Sequence, residues 1–247
     1  MKPEPTTSKR ERLSRDEIAQ RAEAMLQHVV PNHPSKYKPA PLQRVLDFLV
    51  SKHWVQFDHS EDLGFLPGQR KILGRFNVNP NSISIDPILP AWSPRFQFSL
   101  AHELGHFVLH RNLIGEGRRI SREQLPSDAV EQLRYREMAE LSDLGWVEWQ
   151  ANEFAMALIL PEGFLAQKVM QMQIDRGILR NLGIIYFDDQ PLNQLDATLI
   201  VTKLAIELMI PKSMIWKRLR YLGILRDRRK SRTKAAFEEI DALFHST

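Results

Sequence analysis

Apolar residues recur at helical spacing in several stretches of the chain. Ser14 and Glu17 have the spacing of a capping box, which predicts a helix from Ser14 to about Val29. The same reasoning predicts further helices at about 41–52, 99–110, 127–141, 148–160, 198–210 and 214–222. Pro161 and Gly223 are suited to end two of these helices.

The apolar period changes from helical to alternating between residues 54 and 86. Short strands are predicted at 54–57, 71–76 and 82–85, with a turn at 79–81. Ile83 and Ile85 alternate with serines, which is typical of a strand with one solvated face. We expect a small antiparallel sheet. If the strand near Ile83 is exposed, it would hold an extended peptide by β-addition; the alternative is a purely structural sheet.

Composition narrows the class of protein. The chain has 247 residues, 43% hydrophobic and 26% charged, which is ordinary for a soluble globular protein. It has no cysteine, so a metal site must use His, Asp or Glu. No apolar run approaches the length of a membrane span, and the charged N-terminus lacks a signal core, so we expect a cytoplasmic protein without membrane contact. The net charge of +4 only weakly favours acidic partners.

One motif carries specific chemistry, the His-Glu-x-x-His pattern from His102 to His106. Residues four apart share a helix face, so the two imidazoles can bind one Zn²⁺ ion. Glu103 lies beside that ion without binding it and can take a proton from the attacking water. Ser99 is the predicted N-cap of this helix, and Gly105 would let a neighbouring backbone or a substrate come close.

A third metal ligand is sought on the helix predicted at 148–160. Glu148 and Asn152 share one face of that helix, whereas Glu153 points roughly the other way. We therefore predict Glu148 as the third ligand, with Asn152 accepting a hydrogen bond from a ligand histidine. The alternatives for the third ligand are His110, Asp143 and Glu153. For His110 we favour a role in packing, or a contact with a ligand residue rather than with the metal.

Two segments give the chain a family resemblance. The stretch from Arg95 to His110, together with Glu148-x-x-Ala151-Asn152-x-Phe154-Ala155 and the closing Leu160-Pro161, resembles the ImmA/IrrE family of zinc metallopeptidases. The resemblance covers roughly residues 15–225. It implies a zincin-like fold, a zinc site made by His102, His106 and Glu148, and Glu103 as the catalytic residue.

The family resemblance also implies a biological setting. Several members cleave helix-turn-helix repressors and so release genes for mobile-element transfer or for the response to DNA damage, which implies roles in transcription regulation and stress response. The chain after Leu225 is too short for the additional sensor domain of some damage-response members. A damage-sensing role is therefore not expected.

The C-terminal part has the pattern of a small helical module. The helices predicted at 198–210 and 214–222 fit a helix-turn-helix. Its basic residues would contact either the phosphates of DNA or a protein partner; they are Lys212, Lys217, Arg218 and Arg220. A packing or interaction module is the alternative. Residues 226–247 read as a basic tail with a short helix at 235–244.

These patterns together predict an α+β protein. We expect a disordered segment at 1–13, a zinc metallopeptidase domain at 14–190, the helix-turn-helix-like module at 195–225 and the tail. The predicted activity is zinc-dependent cleavage of a repressor protein, with Tyr186 as a candidate for stabilising the oxyanion. One alternative is a DNA-binding regulator with a structural or vestigial zinc site. Another is a protein that binds a repressor without cutting it.

Overall fold

Seven helices and seven short strands make up the part of the chain that the computed structural model describes, residues 12–66, 70–111, 119–123 and 143–229. The helices are α1 (Arg15–Val29), α2 (Leu42–Ser51), α3 (Pro94–His110), α4 (Asp143–Ile159), α5 (Glu162–Asp175), α6 (Pro191–Leu208) and α7 (Lys212–Tyr221). The strands are β1 (Gln56–Asp58), β2 (Phe65–Leu66), β3 (Arg70–Asn77), β4 (Ser82–Ile85), β5 (Arg119–Glu123), β6 (Ile185–Phe187) and β7 (Leu225–Asp227). The mixed α+β class is confirmed.

The chain divides into two compact units, Met1–Pro161 and Glu162–Thr247. The first unit therefore ends earlier than the peptidase domain predicted at 14–190. The domain boundaries of the sequence stay a prediction. No described helix has both the length and the apolarity that crossing a membrane requires.

In the first unit, the sheet has the order β1-β4-β3-β2, and β5 also pairs with β3. The expectation of a purely antiparallel sheet is wrong, because β1 pairs with β4 in parallel, with Phe57 opposite Ile83. The other pairings in this sheet are antiparallel. The β3–β5 ladder carries a register shift between Ile72 and Gly74, which marks a β-bulge.

Strand β4 lies inside this sheet, between β1 and β3. Ser84 is only 5% exposed, so the alternation of serine and isoleucine does not mark a solvated face. Both edges of β4 are already paired over Ser82–Ser84, so no peptide can add to the strand at Ile83. The expectation of β-addition there is wrong, because the sequence pattern does not show which strand lies at the edge.

Helix α1 begins as its sequence predicts. The Ser14 hydroxyl accepts from the Glu17 backbone N–H at 3.3 Å, and Glu17 Oε2 accepts from the Ser14 backbone N–H at 2.7 Å. Leu13 falls in the segment expected to be disordered, but it is only 3% exposed. It precedes the N-cap, and Ile18 at the fourth helical position is fully buried, so the two occupy the positions of a hydrophobic staple. Residues 1–11 lie outside the described part.

Helix α3 starts earlier than predicted. Its N-cap is Ser93, whose side chain accepts from the Phe96 backbone N–H at 3.3 Å, and Pro94 occupies the first turn. Ser99 is not a cap; it lies inside the helix and is buried. The earlier start gives α3 almost five turns and places the histidine motif in its C-terminal half, where nearly every residue is buried.

The second unit contains α5 to α7 and the parallel pair β6–β7. The sequence of residues 184–187 is compatible with a strand or a buried loop, and in the structure Ile185–Phe187 form β6. Helix α6 ends at Met209 in the left-handed conformation, and α7 follows within three residues. Whether these two helices form a helix-turn-helix module stays a prediction. The helices predicted at 127–141 and 235–244 fall outside the described residues.

Candidate metal centre

Helix α3 presents two imidazoles to one point. His102 and His106 are 1% and 0% exposed, and their Nε2 atoms lie 3.1 Å apart. The rings meet edge to face, with an interplanar angle of 80°. This is the arrangement that a spacing of four on a helix predicts, and it aims two ring nitrogens at the same volume.

Helix α4 brings the third group. Glu148 Oε2 lies 3.2 Å from His102 Nε2, and Oε1 lies 3.5 Å from His106 Nε2. The donor atoms of the three residues all lie within 4.8 Å of one another, so this cluster could hold a metal ion. The structure thus brings together the three residues that the sequence singled out as ligands.

The close approach of the two helices depends on small residues. A Cβ atom built on Gly105 would lie 3.0 Å from Ala151 Cα and 3.1 Å from Ala151 O. Ala151 and Ala155 on α4 are fully buried. The expectation that Gly105 admits a neighbouring backbone is confirmed, and the neighbour is the backbone of α4 rather than a substrate.

Hydrogen bonds outside the cluster orient the imidazoles. His102 Nδ1 lies 3.0 Å from Asn152 Oδ1. A carbonyl oxygen only accepts, so Nδ1 carries the proton and the lone pair of Nε2 faces the cluster. His106 Nδ1 lies 3.1 Å from His110 Nδ1. Asn152 and His110 therefore each contact the Nδ1 atom of a candidate ligand, which is the kind of contact that the sequence predicts for them.

The electrostatics of the cluster suit a cation. Burial by itself would raise the pKa of Glu148, but charge on His106 and hydrogen bonds from both histidines outweigh it and hold the pKa of this carboxyl below its usual range. Glu148 is thus anionic at neutral pH, with its two oxygens 3.2 Å from His102 Nε2 and 3.5 Å from His106 Nε2. A carboxylate that is only 19% exposed is stabilised by a positive partner, and a bound divalent ion would be one.

Glu103 stands apart from the three donors. It is fully buried and follows His102 directly in α3, yet it does not belong to the cluster of donor atoms found among the described residues. Its carboxyl contacts β3 at Gly74. Sequence reasoning missed Gly74, although an isolated glycine within a strand pattern is the signal that marks a close approach or a bulge.

The rival ligands are accounted for differently. Glu153 forms an ion pair with Arg15 of α1, with Glu153 Oε1 3.1 Å from Arg15 Nε, so it is used on the other side of α4. His110 contacts His106 through Nδ1 rather than joining the cluster. Asp143 begins α4, and its side chain lies outside the described part of the structure.

The remaining candidates lie in the second unit. Tyr186 is on β6, where the Arg228 guanidinium lies 4.9 Å from its ring centroid, and its role at an oxyanion stays a prediction. Lys212, Lys217 and Arg220 on α7 are half-buried or exposed. Arg218 is only 7% exposed, with its guanidinium 5.5 Å from the ring centroid of Tyr221, which does not suit the phosphate contact expected of it.

Two histidines from one helix, a carboxylate from a second helix and an acid beside the first histidine define a metallopeptidase-like site. Residues 88–187 match the family model of the peptidase M78 domain, described as the IrrE N-terminal-like domain. The resemblance to the ImmA/IrrE family seen in the sequence is therefore confirmed over residues 88–187. No curated protein and no solved structure matches the chain.

Proposed function

We propose that this protein is a zinc-dependent endopeptidase that cleaves a helix-turn-helix transcriptional repressor and thereby relieves repression. The observation that carries the proposal is the convergence of His102, His106 and Glu148 within a domain of a metallopeptidase family. Glu103 at the same helix supplies the acid–base group that peptide hydrolysis needs.

The donor set favours zinc. Two neutral imidazoles and one carboxylate, without thiolates, match the His₂Glu sites of catalytic zinc, which leave a position for water or substrate. A zinc ion held there would polarise the scissile carbonyl and make water more acidic. Asn152 keeps His102 in the tautomer that binding requires, because it accepts the Nδ1 proton.

The proton transfers fall to Glu103. Its buried carboxyl accepts a proton from the attacking water and passes it to the leaving amine, so one residue acts as base and then as acid. Such general acid–base catalysis typically contributes about 10²- to 10⁴-fold to the rate. The low exposure of the neighbouring histidines keeps bulk water away, which strengthens the electrostatic interactions around the reacting groups.

The choice of substrate is supported by the family resemblance, since several members cut helix-turn-helix repressors. We further propose a cytoplasmic site of action. Contact between α7 and DNA is a separate prediction, and the proposed cleavage does not depend on it. If α7 contacts phosphates, the binding of duplex DNA must weaken as salt is added.

A matched pair of proteins tests the proposal. Wild type and Glu103→Gln should each bind about one zinc ion, since Glu103 is not a donor to the site. Only wild type should cleave a co-expressed helix-turn-helix repressor, and Glu103→Gln should co-purify with the uncut repressor. Mass spectrometry of the repressor fragments gives the scissile bond.

The same experiment separates the non-enzymatic alternatives. A regulator that merely binds a repressor would leave it intact with either protein and relieve repression equally with both. A structural zinc site would bind zinc in both proteins, without any cleavage. Either result would contradict the proposed function.

A further inference from the structure

Gly74 lies on the sheet side of α3, directly against the carboxyl of Glu103. A Cβ atom built on Gly74 would lie 2.5 Å from Glu103 Oε1 and 3.1 Å from its Cδ and Cγ atoms. Real Cβ atoms do not approach other atoms so closely. The side chain of Glu103 therefore occupies space that any other residue at position 74 would fill.

Strand β3 cannot easily retreat from this contact. Gly74 pairs with Ile85 of β4 on one side and with Arg122 of β5 on the other. The register shift between β3 and β5 falls at the same place, between Ile72 and Gly74. Gly74 is not among the glycines with positive φ, so its backbone conformation is open to alanine and the only obstacle is steric.

Helix α3 cannot withdraw in the opposite direction either. Its other side is packed on α4, where a Cβ built on Gly105 would already lie 3.0 Å from Ala151 Cα and 3.2 Å from Phe154 Cβ. The contact at Ala151 is with main-chain atoms, which do not rotate aside. A methyl group at position 74 is therefore accommodated chiefly by movement of the Glu103 side chain.

We propose that Gly74 is a positioning residue for Glu103: the absence of a side chain at position 74 gives the Glu103 carboxyl its place next to the metal-binding histidines. The inference rests on the proposed function in so far as Glu103 is the acid–base group. The three heavy atoms nearest to a Cβ atom built on Gly74 all belong to Glu103 and none to a metal donor, so we expect its replacement to act on turnover and to leave metal binding in place.

The first test is Gly74→Ala in the full chain, compared with wild type. Zinc affinity from chelator competition should stay within about threefold, whereas kcat for repressor cleavage should fall by about 10²-fold, the loss that a displacement of roughly 1 Å can cause. KM should change little, because the substitution does not remove a group that binds substrate. A Gly74→Ala protein that cleaves at the wild-type rate would overturn the inference.

A double-mutant cycle separates positioning from general damage. Glu103→Asp shortens the side chain by one methylene group and leaves room for the methyl group that Gly74→Ala adds. If Gly74 acts through Glu103, then Gly74→Ala should lower kcat much less in the Glu103→Asp background than in wild type. Equal losses in the two backgrounds would show that the substitution harms the fold in some other way, and the inference would fall.

A structural readout keeps the inference testable apart from the proposed function. In a crystal structure of zinc-loaded Gly74→Ala, the carboxyl of residue 103 should be displaced while the His102–His106 pair keeps its position. An unmoved carboxyl, with β3 shifted instead, would overturn the inference. A wild-type protein that cleaves no repressor would contradict the proposed function and leave this structural test intact.

Discussion

The bond between His102 and Asn152 shows how a single amide tunes the candidate metal centre. The two residues are 50 positions apart, yet Nδ1 and Oδ1 lie at 3.0 Å. Because the amide oxygen holds the proton on Nδ1, Nε2 keeps the lone pair that a metal requires. Asn152 also joins α4 to α3 next to Glu148, so it contributes both to the tautomer and to the geometry of the donors.

Replacing Asn152 tests this role. Asn152→Ala should weaken zinc binding by about 10- to 100-fold, the usual effect of losing a partner behind a ligand histidine. Asn152→Asp is the matched control, since it keeps an acceptor oxygen and should retain most of the affinity. Competition with a chromophoric chelator measures both variants. Equal affinity of Asn152→Ala and wild type would contradict the role assigned to the amide.

His110 predicts a specific response of the metal-free protein to acid. Burial is the largest cause that lowers the pKa of His110, and charge on His106 adds to it. A hydrogen bond donated to Gln150 and the charge of Glu148 act in the opposite direction, and the net result is a pKa that falls from 6.5 to about 3. Between these values the unfolded chain binds a proton at this position that the folded protein does not. Protons therefore favour unfolding, and the contribution of His110 to stability is lost as the pH falls from about 6.5 towards 3.

Denaturant unfolding in the presence of a chelator, at several pH values, measures this effect. The free energy of unfolding should decrease more steeply with acidification in wild type than in His110→Gln, which cannot titrate. Parallel pH profiles of the two proteins would show that His110 titrates alike in the folded and unfolded states.

At the level of elements, α4 is held from both sides. Its inner face meets α3 at Gly105, and its outer face meets α1, where Arg15 pairs with Glu153 and lies 5.5 Å from the ring centroid of Trp149. Arg12 lies 5.2 Å from the ring centroid of Trp146. Helix α1 thereby fixes the position of the helix that carries Glu148.

The contacts of Arg15 on α1 with α4 can be removed without changing any of the three metal donors. Arg15→Ala removes an ion pair and a cation–π contact that are both partly exposed, so it should lower the free energy of unfolding by about 1 kcal/mol. Lys168→Ala is a control, because the Lys168–Glu207 pair is more exposed and its loss should cost less than about 0.5 kcal/mol. Urea titrations of both variants measure the two losses in free energy of unfolding. Equal losses would show that the contacts of Arg15 stabilise the protein no more than an ordinary surface ion pair.

The sequence predicted elements best where local chemistry alone decides them. The capping box of α1 and the face shared by Glu148 and Asn152 follow from residues near each other in the chain. The predicted start of α3 is wrong because both Ser93 and Ser99 are plausible caps, and only Pro94 in the first turn separates them. Strands β2, β5 and β7 and helix α5 were not predicted; each of these strands forms through pairing with another strand.

The same distinction holds for the candidate metal site: residues set by local sequence were predicted, and those that depend on tertiary contacts were not. The histidine pair is visible in five residues of sequence, and a helical face was enough to choose Glu148 over Glu153. The sequence did not show the burial of Ser84, because alternation with isoleucine predicts a solvated serine whether or not another part of the fold covers that face. Nor did it show that β4 lies between β1 and β3. Gly74 was overlooked for the same reason, since its partner Glu103 lies on another element.

For the whole molecule, the first unit can be tested as a metal-dependent fold. Zinc that binds only the folded state stabilises it by RT ln(1 + [Zn]/Kd), about 4 kcal/mol at a thousandfold excess over Kd. Thermal unfolding should therefore shift upward in wild type when zinc is added. Glu148→Ala lacks one of the three donors and should show a much smaller shift.

Control variants keep this measurement specific. Glu207→Ala removes a carboxylate from an exposed ion pair in the second unit, and it should respond to zinc as wild type does. Equal shifts in wild type and Glu148→Ala would show that zinc binds elsewhere, and the assignment of the three donors would then be wrong.

The order of the three donors along the chain has a consequence for synthesis in the cell. A ribosome completes both imidazoles of α3 well before it reaches residue 148, and the carboxylate joins them only when α4 docks on α3. A nascent or truncated chain that stops before α4 therefore has only two of the three donors, so the candidate metal site is completed late, together with the tertiary contacts between α3 and α4.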